Sequence, residues 1–173
     1  MRCFIVLILL IFHLDAVSQI RFKEAILNRT CIGNGKEYSL GKEAIKYLFG
    51  ERDSIIQFQY VKFTSTVSDT IKYLINANAT AGNYSTKSYS FELMLVSSLI
   101  VVLKEKVYKI KLFSSPDGSI HYYSQDYGVI KVIGKRCENS FELNLLDKKR
   151  NKIINSLLLQ ISQKEKPSFC RCR

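Results

Sequence analysis

Residues 107–123 read Val-Tyr-Lys-Ile-Lys-Leu-Phe, then Ser-Ser-Pro-Asp-Gly-Ser, then Ile-His-Tyr-Tyr. In the first part, apolar Tyr108, Ile110 and Leu112 alternate with two lysines, which is the period of a strand with one buried face. Pro116-Asp117-Gly118 then has turn chemistry, because proline presets φ, aspartate can bond nearby backbone and glycine accepts positive φ. This segment therefore predicts a β-hairpin.

Alternating apolar and polar residues on both sides of the hairpin predict more antiparallel strands. They cover Ile55 to Phe63, Thr70 to Ile75, Tyr89 to Leu95, Leu99 to Leu103, Tyr127 to Ile133 and Phe141 to Leu145. Leu99 to Leu103 is evenly apolar, which predicts a central strand covered on both faces. Residues 28–37 carry two glycines and are predicted to be a loop.

Two helices are predicted, one at each end of these strands. Ser39 and Gly50 are suitable cap residues for the first, and Leu40, Ala44, Tyr47 and Leu48 recur at helical spacing between them. The second runs from about Asn151 to Ser162, with Asp147 as a candidate cap. Its apolar stripe consists of Ile153, Ile154, Leu157, Leu158 and Ile161.

No linker or internal repeat divides the chain, so residues 19–173 are predicted to form a single α+β domain. Its expected architecture is a curved antiparallel β-sheet meander with one helix before it and one C-terminal helix. The length and the composition, 47% hydrophobic and 24% charged, suit a folded globule.

Gln59-Tyr-Val-Lys-Phe63 follows the first predicted helix. Through Gln59 and Val61, this segment is similar to the Gln-x-Val-x-Gly inhibitory hairpin of the cystatins. A helix followed by antiparallel strands also resembles the cystatin layout, and NTF2-like domains share that order of elements. The cystatin resemblance implies an inhibitor of cysteine proteases, whereas the NTF2-like one concerns the fold alone.

The N-terminus predicts secretion. Arg2 precedes an apolar run from Cys3 to Phe12, and Ala16-Val17-Ser18 fits a small-x-small cleavage site. We therefore interpret residues 1–18 as a signal peptide. The apolar run is shorter than the ~20 residues that a transmembrane helix needs, and no later stretch reaches that length. A secreted, extracellular protein without a membrane anchor is expected.

Cleavage would remove Cys3 and leave four cysteines: Cys31, Cys137, Cys170 and Cys172. An even number of cysteines in an oxidising compartment predicts two disulfides. A bridge between Cys170 and Cys172 would be strained, so each is expected to pair with Cys31 or Cys137. The four residues do not have the spacing of a zinc or redox motif. Three sequons, at Asn28, Asn78 and Asn83, predict N-linked glycans in the same compartment.

The formal net charge is +11, and the densest cationic run comprises Lys148, Lys149, Arg150 and Lys152. Positive charge at a helix start opposes the helix dipole, so local helix stability does not explain this run. Outside the cell its expected partners are sulfated glycans, phospholipid head groups or acidic proteins, and nucleic acid is not expected. The alternative is a solvated surface that keeps the protein soluble.

Catalytic machinery is not evident from the sequence. After signal cleavage His121 is the only histidine, and its position opposite Ile120 and Tyr122 on the predicted hairpin indicates a surface residue. No nucleophile elbow or phosphate-binding loop is present. We expect no enzyme activity, cofactor or metal. The predicted function is a secreted, disulfide-stabilised glycoprotein that binds an anionic glycan or an extracellular protein; the alternatives are a cystatin-like inhibitor and a small hydrolase with a carboxylate pair.

Overall fold

A computed structural model describes residues 23–33, 36–52, 55–63, 68–76, 80–134 and 140–164. For residues 31–40 and 48–69 the description covers at most the backbone. The predicted signal peptide, Asn78, Cys137, Cys170 and Cys172 lie outside the described residues.

The described chain contains ten strands and one helix. The strands are β1 Lys23–Gly33, β2 Lys36–Arg52, β3 Ile55–Phe63, β4 Ser68–Asn76, β5 Ala81–Ser85, β6 Ser90–Leu103, β7 Lys106–Ser114, β8 Ile120–Ser124, β9 Gly128–Ile133 and β10 Ser140–Leu145. The helix is α1, Lys148–Lys164. The predicted antiparallel sheet and C-terminal helix are therefore confirmed.

The sheet curls until its ends meet. Each strand pairs antiparallel with its neighbour in sequence, and β1 also pairs with β10, so that the ten strands close into a barrel. Register across the closure sets Ala25 opposite Leu145 and Leu27 opposite Leu143. These four side chains are buried, and they define the inward face of the barrel.

The predicted first helix is wrong, because residues 36–52 form β2. Buried Ile45 and Tyr47 alternate with exposed Ala44 and Lys46, which is the two-residue period of a strand. Leu40, Ala44 and Leu48 recur at the spacing of a helix, but side chains in a strand alternate with a period of two residues. The predicted loop at 28–37 is also largely strand, since β1 continues to Gly33. No helix precedes the sheet within the described residues, so neither the cystatin nor the NTF2-like layout is observed.

The hairpin of residues 107–123 is confirmed as β7 and β8. Asp117 Oδ1 accepts hydrogen bonds from Ser115 Oγ and from Ser119 N, the latter at 2.9 Å. Gly118 has φ of +83°, which glycine adopts without strain. The chain thereby returns antiparallel, with Phe113 opposite His121.

Helix α1 covers part of the outside of the barrel. Arg150 N donates to Asp147 Oδ1 at 3.0 Å, which confirms Asp147 as the cap. The helix packs on β6, β9 and β10 and buries Ile154, Leu157, Leu158 and Ile161, as the apolar stripe predicts. Outward side chains of β7 and β8, including Ile110 and Tyr122, are buried in the same cluster.

Candidate ligand site in the barrel interior

One hydrogen bond crosses the inside of the barrel. The Tyr73 hydroxyl on β4 lies 3.1 Å from His121 Nδ1 on β8. These two strands are separated by β5, β6 and β7 along the sheet. Their side chains therefore meet through the interior and not along the wall.

Aromatic rings surround this pair. Tyr84 meets Tyr73 edge-on, with ring centroids 5.0 Å apart, and stacks on Phe91 at 4.5 Å. Phe113 meets Tyr123 edge-on at 6.3 Å. Offset-stacked and edge-on pairs are the favoured aromatic geometries, so the interior offers large, ordered apolar surfaces.

His121 is buried, with 4% of its surface exposed, so the sequence interpretation as a surface residue is wrong. The assignment of His121 to the face opposite Ile120 and Tyr122 is correct, but β8 is buried on both faces. The prediction failed because it assumed that one face of this hairpin is exposed to solvent. Its cross-strand partner Phe113 is the sequence feature that pointed inward.

The electrostatics of His121 follow from this burial. Burial lowers the pKa of His121 from 6.5 to about 4, against a smaller opposing effect of the Asp117 carboxylate. The imidazole is therefore neutral at physiological pH. Its Nε2 is buried and makes no hydrogen bond with any residue that the structure describes. A polar atom in this position normally has a partner, since leaving it unsatisfied costs about 1–3 kcal/mol.

The β7–β8 turn lies next to His121 in sequence, and the charge of its Asp117 acts on the imidazole. Burial opposes ionisation of Asp117, but hydrogen bonds from Ser115 and Ser119 prevail and lower the pKa of its carboxyl. Ser115 and Ser119 are themselves buried. The turn thus holds a fixed negative charge near the end of the strand that carries the neutral imidazole.

The cationic run predicted as an anion site forms the first turn and a half of α1. Lys148, Lys149 and Lys152 are exposed, and Lys148 and Lys152 lie one turn apart on the same side of the helix. They line a groove of about 390 Å³ together with Asn151, Asn155, Ser156 and Leu159.

Arg150 does not line that groove. It hydrogen-bonds the phenol of Tyr47, and its Nε lies 3.9 Å from Asp147 Oδ2. Burial nevertheless raises the pKa of Tyr47. All four residues of the predicted anion site are exposed, and Arg150 also connects α1 to Tyr47 of the barrel.

The remaining predicted residues fall at several places. Asn83 is exposed on β5, and Asn28 is partly exposed on β1. The backbone of Cys31 lies in β1. Gln59 and Val61 lie in the middle of β3, where they pair with β2 on one side and β4 on the other.

Three of the described carboxylates have structural partners. Glu142 pairs with Lys131 at 2.7 Å, Asp117 belongs to its turn and Asp147 caps α1. Glu92 is exposed on β6. In the described parts of the chain, no group of three or more His, Cys, Asp or Glu residues could hold a metal ion.

Within the described ranges, no helix is long and apolar enough to cross a membrane. No protein-family model, curated protein or solved structure matches this chain.

Proposed function

We propose that the protein is a carrier that binds a small, largely apolar molecule inside the barrel. The observation that carries the proposal is His121 Nε2, a buried polar atom that has no hydrogen-bond partner among the described residues and belongs to a ring packed against Tyr73 and Tyr84. A bound molecule would satisfy it with one polar group and would place its apolar body against Tyr84, Phe91 and Phe113. Ligand pockets typically combine apolar walls with a few such polar atoms.

The size of the barrel supports the same proposal. An eight-stranded barrel is just wide enough for side chains to fill it or for one small ligand. Barrel diameter grows with strand number, and this barrel has ten strands. The secreted, N-glycosylated and disulfide-bonded state remains part of the proposal, as does the absence of catalysis.

Binding can be tested with the neutral fluorophore N-phenyl-1-naphthylamine, whose emission rises in apolar surroundings. The ring signals of His121 are followed by NMR in the same titration, and a His121→Asn variant assigns them. The expected result is saturable fluorescence together with shifted His121 signals. Fluorescence without a change at His121 would place binding elsewhere and would contradict the proposal, as would the absence of binding.

A matched pair of variants gives an independent check. Leu93 is buried on the inward face of β6, and its neighbour Glu92 is exposed on the outward face. Leu93→Trp should abolish binding by filling the interior, whereas Glu92→Trp should leave it unchanged. Circular dichroism establishes that both variants are folded.

A second candidate function is binding of a sulfated glycan along α1. The groove between Lys148 and Lys152 favours it, because Asn155 and Ser156 add hydrogen-bonding groups to two cations. Heparin chromatography tests this candidate. Replacing Lys148, Lys149 and Lys152 by Ala should lower the eluting salt concentration more than replacing exposed Lys42, Lys72 and Lys87. Equal losses would indicate diffuse charge and would reject a glycan site.

A further inference from the structure

The second half of β6 is paired on one side only. β5 pairs with β6 as far as Met94, and Leu95 N then donates a hydrogen bond to Thr80 O at 2.7 Å. From Ser97 to Leu103, β7 is the one strand that pairs with β6 in the part of the chain that the structure describes. The wall of the barrel therefore has an open edge here, residues 97–103, which we call the β6 edge.

The backbone of the β6 edge can accept another strand. A two-residue turn joins β6 to β7, and the residues that flank such a turn exchange backbone hydrogen bonds. Because bonded and non-bonded pairs alternate along the ladder, Ile100 and Val102 direct their N–H and C=O groups away from β7. Side chains of α1 reach these carbonyls: Gln160 Nε2 donates to Val102 O at 3.4 Å and Lys164 Nζ donates to Ile100 O at 2.6 Å. Both bonds are exposed, so the backbone of an added strand can replace them.

The side chains of the β6 edge form one exposed apolar face. Ile100 and Val102 are 60% and 55% exposed, and Val107 beside them on β7 is 61% exposed. The opposite face is buried, with Val101 in the same apolar cluster as Leu157 of α1. Residues 97–103 contain no charged residue and no proline, which are the residues that usually keep other strands away from a sheet edge.

The charges around the β6 edge are mostly positive. Residues 97–114 contain four lysines and one acidic residue, Glu105. Lys109 lies opposite Ile100 and is exposed. The exposed ammonium group of Lys164 lies at the edge itself, on the side of α1. An added strand with carboxylates on that side would therefore gain ion pairs.

The same features disfavour two other partners. A second copy of this chain would bring two Lys164 side chains toward each other, and each copy has a formal net charge of +11. A lipid bilayer would leave the backbone groups of the edge without partners, because hydrocarbon offers no hydrogen bonds. An extended segment with acidic side chains avoids both costs.

We propose that the β6 edge binds an extended acidic segment of another protein by antiparallel strand addition. Backbone groups of the segment replace Gln160 and Lys164 at the two carbonyls. Apolar side chains of the segment lie beside Ile100 and Val102, and the alternate, acidic side chains lie on the side of α1 and pair with Lys164. Binding at the β6 edge does not require a ligand inside the barrel.

A blocked peptide that alternates glutamate and valine is the probe, because its two faces match the two sides of the edge. Fluorescence anisotropy of a labelled peptide measures binding to the full protein, and the backbone NMR signals of Ile100 and Val102 report the position. The glutamate peptide is expected to shift these signals and to bind at least about tenfold more tightly than a peptide that alternates lysine and valine.

Methylation of the peptide backbone separates strand addition from charge attraction. Directly opposite residues that exchange hydrogen bonds have their side chains on the same face, so the valine N–H groups are the ones that point to the β6 edge. Methyl groups on the valine nitrogens should weaken binding at least about tenfold, whereas methyl groups on the glutamate nitrogens should be tolerated. Equal effects of the two modifications would overturn strand addition.

Protein variants test the role of Lys164. Lys164→Gln keeps a side chain that can bond Ile100 O but removes the charge, so it should weaken binding of the glutamate peptide by about threefold to fivefold. Lys72→Gln removes an exposed charge from β4 and should leave binding unchanged. Thermal unfolding establishes that both variants are folded. Equal losses in the two variants would indicate attraction by overall charge and would contradict the proposal.

Other partners give different results. Sedimentation that shows self-association of the protein without peptide would assign the edge to a second copy. Protein that binds phosphatidylserine vesicles and not the glutamate peptide would assign the apolar face to lipid. Either result would overturn the proposal, as would no peptide binding or peptide binding without a change at Ile100 and Val102.

Discussion

His121 and Tyr73 are hydrogen-bonded across the inside of the barrel, at 3.1 Å between Nδ1 and the phenol oxygen. The bond joins β4 to β8 without passing through the strands between them. It therefore holds the imidazole in one orientation and leaves Nε2 as the ring atom that can meet a ligand. The pair also places a titratable group where charge is costly, so stability should depend on pH.

We predict that acid destabilises the folded protein through His121. Its pKa is lowered from 6.5 to about 4, so the unfolded chain takes up a proton in this window before the folded protein does. Stability contributed by the neutral imidazole is complete above pH 6.5 and falls as pH decreases toward 4. From pH 7 to pH 5 the loss should be about 2 kcal/mol.

Urea denaturation at the two pH values measures this loss. The His121→Asn variant keeps an amide that can bond Tyr73 but does not titrate. Between pH 7 and pH 5, its free energy of unfolding should fall by about 2 kcal/mol less than that of the wild type. The same pH dependence in both proteins would show that other groups cause the acid sensitivity.

Lys131 and Glu142 form an ion pair whose loss should be costly. Their side chains are only 4% and 18% exposed, with Nζ and Oε1 2.7 Å apart. Lys131→Met leaves the Glu142 carboxylate buried without this partner, which should cost about 3 kcal/mol of unfolding free energy. Lys131→Met/Glu142→Leu should recover most of the loss, because an apolar pair has no charge to desolvate.

The pair of Lys106 and Asp126 is the matched comparison, since both side chains are about half exposed, at 57% and 43%. Asp126→Asn should cost less than about 1 kcal/mol. Chemical denaturation of the four proteins measures the effects. A cost for Lys131→Met as small as that for Asp126→Asn would contradict the assignment of a buried pair.

We predict that the space beside Gly82 is too small even for a methyl group. A Cβ atom there would lie 2.9 Å from Ile75 Cγ1 and 3.2 Å from the Leu74 carbonyl oxygen. The first atom belongs to a buried side chain and the second to backbone, so neither can move freely. Gly82→Ala should therefore destabilise by about 1–3 kcal/mol, although alanine is normally preferred to glycine in a strand. Asn83→Ala, on the exposed face next to it, should change the thermal midpoint little. A Gly82→Ala protein that is more stable than the wild type would contradict the predicted clash with Ile75 and Leu74.

Substitutions in the turn between β6 and β7 should make the protein more stable. Lys104 and Glu105 both have positive φ, 46° and 67°, which favours Asn and Gly in a two-residue hairpin turn. Lys104→Asn/Glu105→Gly should raise the free energy of unfolding by about 1 kcal/mol. A double alanine variant retains the unfavourable φ and serves as the control. Equal stability of the two variants would contradict this account.

Local sequence patterns predicted β3, β4, β6 to β10 and the last helix, because each has a clear period, but β1, β2 and β5 were not predicted as strands. The Ile45 and Tyr47 segment failed because its apolar residues fit a helical period and a strand period alike, and only pairing with β1 and β3 decides between them. Leu99 to Leu103 failed for a related reason. Its outward residues lie under α1, while Ile100 and Val102 on the other face are exposed.

The candidate site was not predictable from local patterns. His121 and Tyr73 are 48 residues apart, and their contact depends on closure of the barrel. His121 was assigned to the face opposite Ile120 and Tyr122, which is correct, but the sequence does not say that this face is the inside. The solvated face of an isolated hairpin and the inward face of a barrel have the same alternation.

Pairing of β1 with β10 has a consequence for the order of folding. The partners Leu27 and Leu143 come from opposite ends of the described chain, so the ring cannot close until the last strand has left the ribosome. Until then the nascent sheet has two open edges that can recruit strands from other chains. Closure over such a distance along the chain is also slow. Productive biosynthesis should accordingly depend on chaperones that shield β1 while it waits for β10.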